Sequence, residues 1–96
     1  MNQFQSTCIL RCRALLAATP GLEYRDFEEL EGKNEPYLGL RVSDHTSRRI
    51  EIYVYLDEAG YMINGEEWTV YERPDYPSDE ALIAALVGGL QGLLSQ

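Results

Sequence analysis

The chain has 96 residues, 45% hydrophobic and 25% charged, with 16 acidic against 8 basic side chains and a formal charge of −8. That balance describes one domain, residues 1–96, with enough apolar content to build a core, and it excludes an intrinsically disordered chain. It also argues against direct binding of nucleic acid, because association with phosphates is driven by basic side chains that release counterions; basic protein surfaces are the expected partners.

The N-terminal region lacks the basic start, apolar stretch and small-residue cleavage site of a secretory leader. No run approaches the roughly 20 apolar residues that cross a bilayer. Cys8 and Cys12 are four residues apart, which is not the pattern of a secreted disulfide scaffold, so a reducing, cytoplasmic setting without membrane attachment is expected.

In chain order, residues 2–19 predict an amphipathic helix whose stripe is Phe4, Cys8, Ile9, Cys12, Leu15 and Leu16, flanked by Arg11 and Arg13 and stopped by Pro20-Gly21. Cys8 and Cys12 read as small buried hydrophobes rather than zinc ligands, since zinc wants four ligands and His45 is the sole histidine. Residues 22–31 fit either a short helix or an irregular edge strand; loop chemistry at 31–36 favours the strand. The acids Glu23, Asp26, Glu28, Glu29, Glu31 and Glu35 gather here, where charge on an outer strand discourages edge-to-edge association.

Residues 37–43 alternate, with Leu38, Leu40 and Val42 inward and Tyr37, Gly39 and Arg41 outward; a bulge or close contact is possible at Gly39. The polar turn 44–47 makes His45 a solvated residue. The run from Arg49 to Asp57 alternates again: Ile50, Ile52, Val54 and Leu56 form one face, Glu51, Tyr53, Tyr55 and Asp57 the other. Asp57-Glu58-Ala59-Gly60 supplies turn chemistry, and Tyr61-Met62-Ile63 returns. Asn64-Gly65 either turns the chain into a strand at Trp68–Tyr71 or marks a bulge in one longer strand; the hairpin is preferred. Residues 73–77 carry two prolines and are expected to be irregular. Ser78 caps a final helix with Asp79 and Glu80 at its start and a stripe of Leu82, Ile83, Leu86, Val87, Leu90, Leu93 and Leu94. Gly88 and Gly92 on its uncharged side suggest close packing against the first helix or a second copy of the chain, hence a possible homodimer.

The expected fold is therefore α+β: an N-terminal helix, an antiparallel sheet of three to five strands and a C-terminal helix, both helices on one sheet face. No phosphate loop, nucleophile elbow, zinc-binding His-Glu-x-x-His or Cys-x-x-Cys is present, and Glu66-Glu67 are adjacent rather than paired across a site. The chain reads as a non-enzymatic binder without metal or cofactor. Candidate partner-binding residues are Glu51, Tyr53, Tyr55, Asp57, Glu66, Glu67 and Tyr71, because tyrosines combine contact area, rigidity and a polar tip. Tyr37, Arg41 and Tyr71 are expected to extend the Tyr53–Tyr55 face. Eight acids between Asp57 and Glu80 can, if they converge, occupy a groove that normally receives phosphate, as a DNA mimic does.

In layout and charge the chain resembles the small acidic phage-encoded inhibitors of bacterial defence, among them anti-CRISPR proteins. The resemblance implies blocking a nucleic-acid-binding or subunit surface of a defence complex. A small acidic adaptor or secretion-chaperone-like protein is the alternative.

Overall fold

A computed structural model describes residues 2–25, 28–31, 36–43 and 48–95, with the backbone alone for 28–31, 36 and 37. His45 with its turn, Asp26, Phe27, Glu35 and the side chains of Tyr37 and residues 28–31 lie outside the described residues. The order is helix α1 (Gln3–Ala17), strands β1 (Glu23–Tyr24), β2 (Glu28–Glu31), β3 (Pro36–Ser43), β4 (Arg49–Val54), β5 (Glu58–Ile63) and β6 (Glu67–Glu72), a 3-10 turn (Arg73–Asp75) and helix α2 (Asp79–Leu94). All strand pairs are antiparallel, and β1 and β2 both pair with β3, so six segments fill five positions with β6 at the far edge. The α+β fold expected from periodicity is the fold observed, and the described parts of 22–31 are strand at Glu23–Tyr24 and Glu28–Glu31, both paired to β3.

Each alternating strand gives its aliphatic set to the same side. Leu38, Leu40 and Val42 lie opposite Val54, Ile52 and Ile50, which in turn lie opposite Ala59, Tyr61 and Ile63. Phe4, Cys8, Cys12 and Leu16 of α1 and Leu82, Ile83, Leu86 and Leu90 of α2 close over them in a single core. Burying an aliphatic side chain contributes about 1.5–3 kcal/mol, so this face fixes strand register; a one-residue slip would turn the whole set to water.

Local chemistry sets the ends. Asn2 caps α1 by accepting from the Gln5 N–H at 2.8 Å, while Gln5 Oε1 accepts from the Asn2 N–H at 3.1 Å. Gln5 is the buried polar side chain of the core, and its Nε2 donates to the Val54 carbonyl. Ser78 caps α2 as expected, through the Ala81 N–H, and Arg48 donates to the Leu93 carbonyl at 3.0 Å, where the helix dipole favours a cation.

Three boundaries differ from expectation. Strand β4 ends at Val54, and the Tyr55 N–H donates to the Glu58 carbonyl, so the turn is 55–58 and Ala59-Gly60 belong to β5. Leu56 consequently leaves the inward row; its carbonyl accepts from Asn2 and Arg73. Residues 73–75 form one 3-10 turn rather than irregular chain, with Pro74 inside its first turn where the missing N–H costs nothing. Arg73 ties three elements together there: its guanidinium grips Asp79 at 2.8 and 3.0 Å and lies 4.9 Å from the Phe4 ring centre.

Gly88 and Gly92 do not pack on α1: a Cβ at either would meet nothing within 4 Å. The close approach belongs to Gly89, where a Cβ would run into the Tyr71 hydroxyl and come within 3.1 Å of that of Tyr61. Gly89 is seven residues after Leu82 and three after Leu86, which puts it on the core stripe and leaves Gly88 and Gly92 outside it.

Candidate functional site

The face of the sheet away from the helices carries Gly39, Arg41 and Ser43 of β3, Arg49, Glu51 and Tyr53 of β4, Glu58, Gly60 and Met62 of β5, and Trp68, Val70 and Glu72 of β6. Tyr53 has glycine as its cross-strand neighbour on both sides, Gly39 and Gly60. With no side chain at Gly60, the Tyr53 ring reaches across β5 and meets Trp68 edge-on, with centroids 5.3 Å apart and planes at 66°. That geometry is a favourable one for two aromatic quadrupoles. Gly60 is held by β6 as well: a Cβ there would collide with the Thr69 carbonyl and stand 3.1 Å from Val70 Cα.

Among the described residues the face carries two depressions, each of about 430 Å³. One is lined by Glu23, Tyr24, Arg25, Arg41, Ser43 and Arg49. Glu51 borders this region and balances it: its carboxylate lies 3.5 Å from Arg49 and 3.8 Å from Arg41 and accepts the Tyr53 hydroxyl at 2.7 Å. The other depression is lined by Tyr53, Tyr55, Met62 and Trp68 with Glu58. Trp68 is 42% exposed; among the large hydrophobic side chains described, only Leu10 is more open. Beside it Glu58 and Glu72 are cross-strand partners, and like charges directly opposite are destabilising.

Of the sequence candidates, Tyr53 and Tyr55 line the aromatic depression, while Glu51 is turned to internal ion pairs. Asp57 is exposed in the 55–58 turn, and its carbonyl accepts from the Arg73 N–H. Glu66 and Glu67 are exposed at the opposite end of the β5–β6 hairpin, about 20 Å away by strand rise. The acids therefore do not converge on one patch, and two more are engaged internally, Asp79 by Arg73 and Glu80 by Arg11.

Tyr71 corrects the expected face directly. Its cross-strand partner is Ala59, so it points under α2 rather than outward. It joins Tyr61 and Tyr76, with ring centroids 6.4 Å from each, and its hydroxyl is pushed up to about pKa 12 by burial, the hydrogen bond with Tyr61 and the neighbouring tyrosines. Glu58, Met62 and Trp68 are the site residues that sequence reasoning missed. The two cysteines are free and buried on the core side of α1. The Cys8 thiol is raised by its hydrogen bond to Cys12 and then by burial, which makes it a poor nucleophile. Among the described residues no three of His, Cys, Asp and Glu stand together as metal ligands, and no helix is long and apolar enough to cross a membrane.

Comparison with family models, curated proteins and solved structures finds no match.

Proposed function

We propose that the chain acts by stoichiometric binding rather than catalysis, docking a basic protein surface against the depression formed by Tyr53, Tyr55, Met62 and Trp68. The observation that carries this reading is the aromatic set itself: Tyr53 and Trp68 on strands and Tyr55 at the start of the 55–58 turn, the tryptophan half-open, with Glu58 at the rim. Aromatic rings and a carboxylate suit an incoming arginine or lysine, because the ring faces attract a cation and the acid neutralises it. Tryptophan and tyrosine in such positions dominate interface energetics.

The finer form of the reading is inhibition of a nucleic-acid-handling complex of bacterial defence, by covering an arginine- or lysine-lined surface. The charge of −8 supports steering toward such a surface. The split of the acids between the two ends of the hairpin favours blocking an interface over imitating a phosphate track. The test is affinity capture from bacterial lysate with wild type, Tyr55→Ala and Glu66→Lys/Glu67→Lys. Retention of an effector-nuclease subunit by wild type and the charge-reversed variant, with loss in Tyr55→Ala, is the expected result. Capture of an exported polypeptide would favour the adaptor alternative, and loss only on charge reversal would restore mimicry.

A further inference from the structure

The hydrogen-bond alternation of the β4–β5–β6 ladder fixes which backbone groups of β6 are used. The Asn64 N–H donates to Arg49 and the Tyr55 N–H to Glu58, so alternate residues of β5 bond to β4. Residues between them bond to β6, as the Arg73 N–H to the Asp57 carbonyl shows at the strand end. Antiparallel pairing alternates strictly, so Thr69 and Tyr71 bond inward, and the N–H and C=O groups of Trp68, Val70 and Glu72 face the open edge. Among the described residues no strand lies beyond β6. The strand is six residues long without a proline or bulge to blunt it, and the same three residues send their side chains to the outer face, continuous with the aromatic depression.

We propose that β6 is a strand-addition edge: an extended, basic segment of the partner pairs with Trp68, Val70 and Glu72 as an additional strand of the sheet. Main-chain bonds supply affinity in this mode, and alternate side chains supply selection. A lysine or arginine beside Glu72 at one end of the row, with apolar side chains on Val70 and Trp68, matches the row that β6 presents to the outer face. A second copy of the chain fits worse, because it brings another net charge of −8 to the same edge. Glu67 and Glu72 thus discourage self-pairing while admitting a basic strand. The proposal rests on the protein-binding reading above and specifies its geometry.

The test uses the full chain and an acetylated ten-residue peptide of alternating lysine and valine. Saturating peptide is expected to slow amide exchange at Trp68, Val70 and Glu72 by tenfold or more, leaving Thr69 and Tyr71 at their already protected rates. Val70→Pro, which removes an edge-facing N–H and leaves the β5 ladder intact, is expected to weaken binding at least tenfold. Should that variant unfold, a peptide N-methylated at every second residue along one edge, in each of its two registers, provides the same control; at least one register is expected not to bind. Failure of the peptide to bind at millimolar concentration, binding without slowing at the three amides, or equal binding of both N-methylated forms overturns the proposal. Peptide-free dimerisation that slows those amides overturns it too, by making a second copy the occupant. Tyr55→Ala lies on the face and off the edge, so its effect on lysate capture judges the broader reading separately.

Discussion

The two depressions described on the outer sheet face have the same volume and share strand β4, yet one is lined by three arginines and the other by three aromatic rings. At the arginine end, Glu51 sits between Arg41 and Arg49 and takes the Tyr53 hydroxyl, so that region carries its own counter-charge. At the aromatic end, Glu58 faces Glu72 across the ladder beside an exposed tryptophan. The contrast is between a region tied by ion pairs within the sheet and one dominated by aromatic surface, the end proposed to meet a partner.

Gly60→Ala breaks the comparison most severely. The new methyl collides with the Thr69 carbonyl and crowds Val70 Cα of β6, so a loss of about 1–3 kcal/mol is expected from denaturant melts. Glu51→Ala removes the balancing carboxylate, and stability is expected to fall by roughly 1 kcal/mol, with the loss shrinking as salt is added. Glu58→Gln removes the carboxylate at the rim of the aromatic depression; affinity for a basic partner is expected to drop in calorimetric titration, more at low salt than at high salt.

Tyr71 on the inner face gives a test by pH. Its hydroxyl ionises more readily in the unfolded chain, near 10, than in the fold, near 12. Its contribution is therefore fully present below pH 10 and is lost as pH rises through 12. Ultraviolet titration is expected to show one late tyrosine step that Tyr71→Phe abolishes.

The inner face of the sheet was legible in the sequence because alternation in β3 and β4 and the stripes of both helices are dense and unambiguous. Gln5 was not read from the sequence: it stands outside the apolar stripe, and its burial follows from the capping box it closes with Asn2 and its bond to the Val54 carbonyl. The start of β5 was not: Ala59-Gly60 resemble turn residues, and Gly60 is a strand residue because the Thr69 carbonyl leaves no room for a Cβ. Alternation in β6 separates Trp68 and Val70 from Thr69 and Tyr71 but does not say which pair goes inside. The register across Asn64-Gly65 decides that, and both residues take positive φ there, at 53° and 75°. It sets Ile63 opposite Glu67 and so Tyr71 opposite Ala59, sending the larger indole out. Hydrophobicity alone would have buried the tryptophan, which is why the most exposed ring of the candidate site was overlooked.

The central claim is that the aromatic end is the part of this surface made for a partner. Its most direct test compares Trp68→Ala with Arg49→Ala in calorimetric titration against the captured partner, with thermal melts of both variants alongside. The account predicts that Trp68→Ala loses about 2 kcal/mol or more of binding, roughly thirtyfold, with its melting temperature nearly unchanged, while Arg49→Ala binds within about twofold of wild type. Wild-type affinity in Trp68→Ala, or a greater loss in Arg49→Ala, would contradict it.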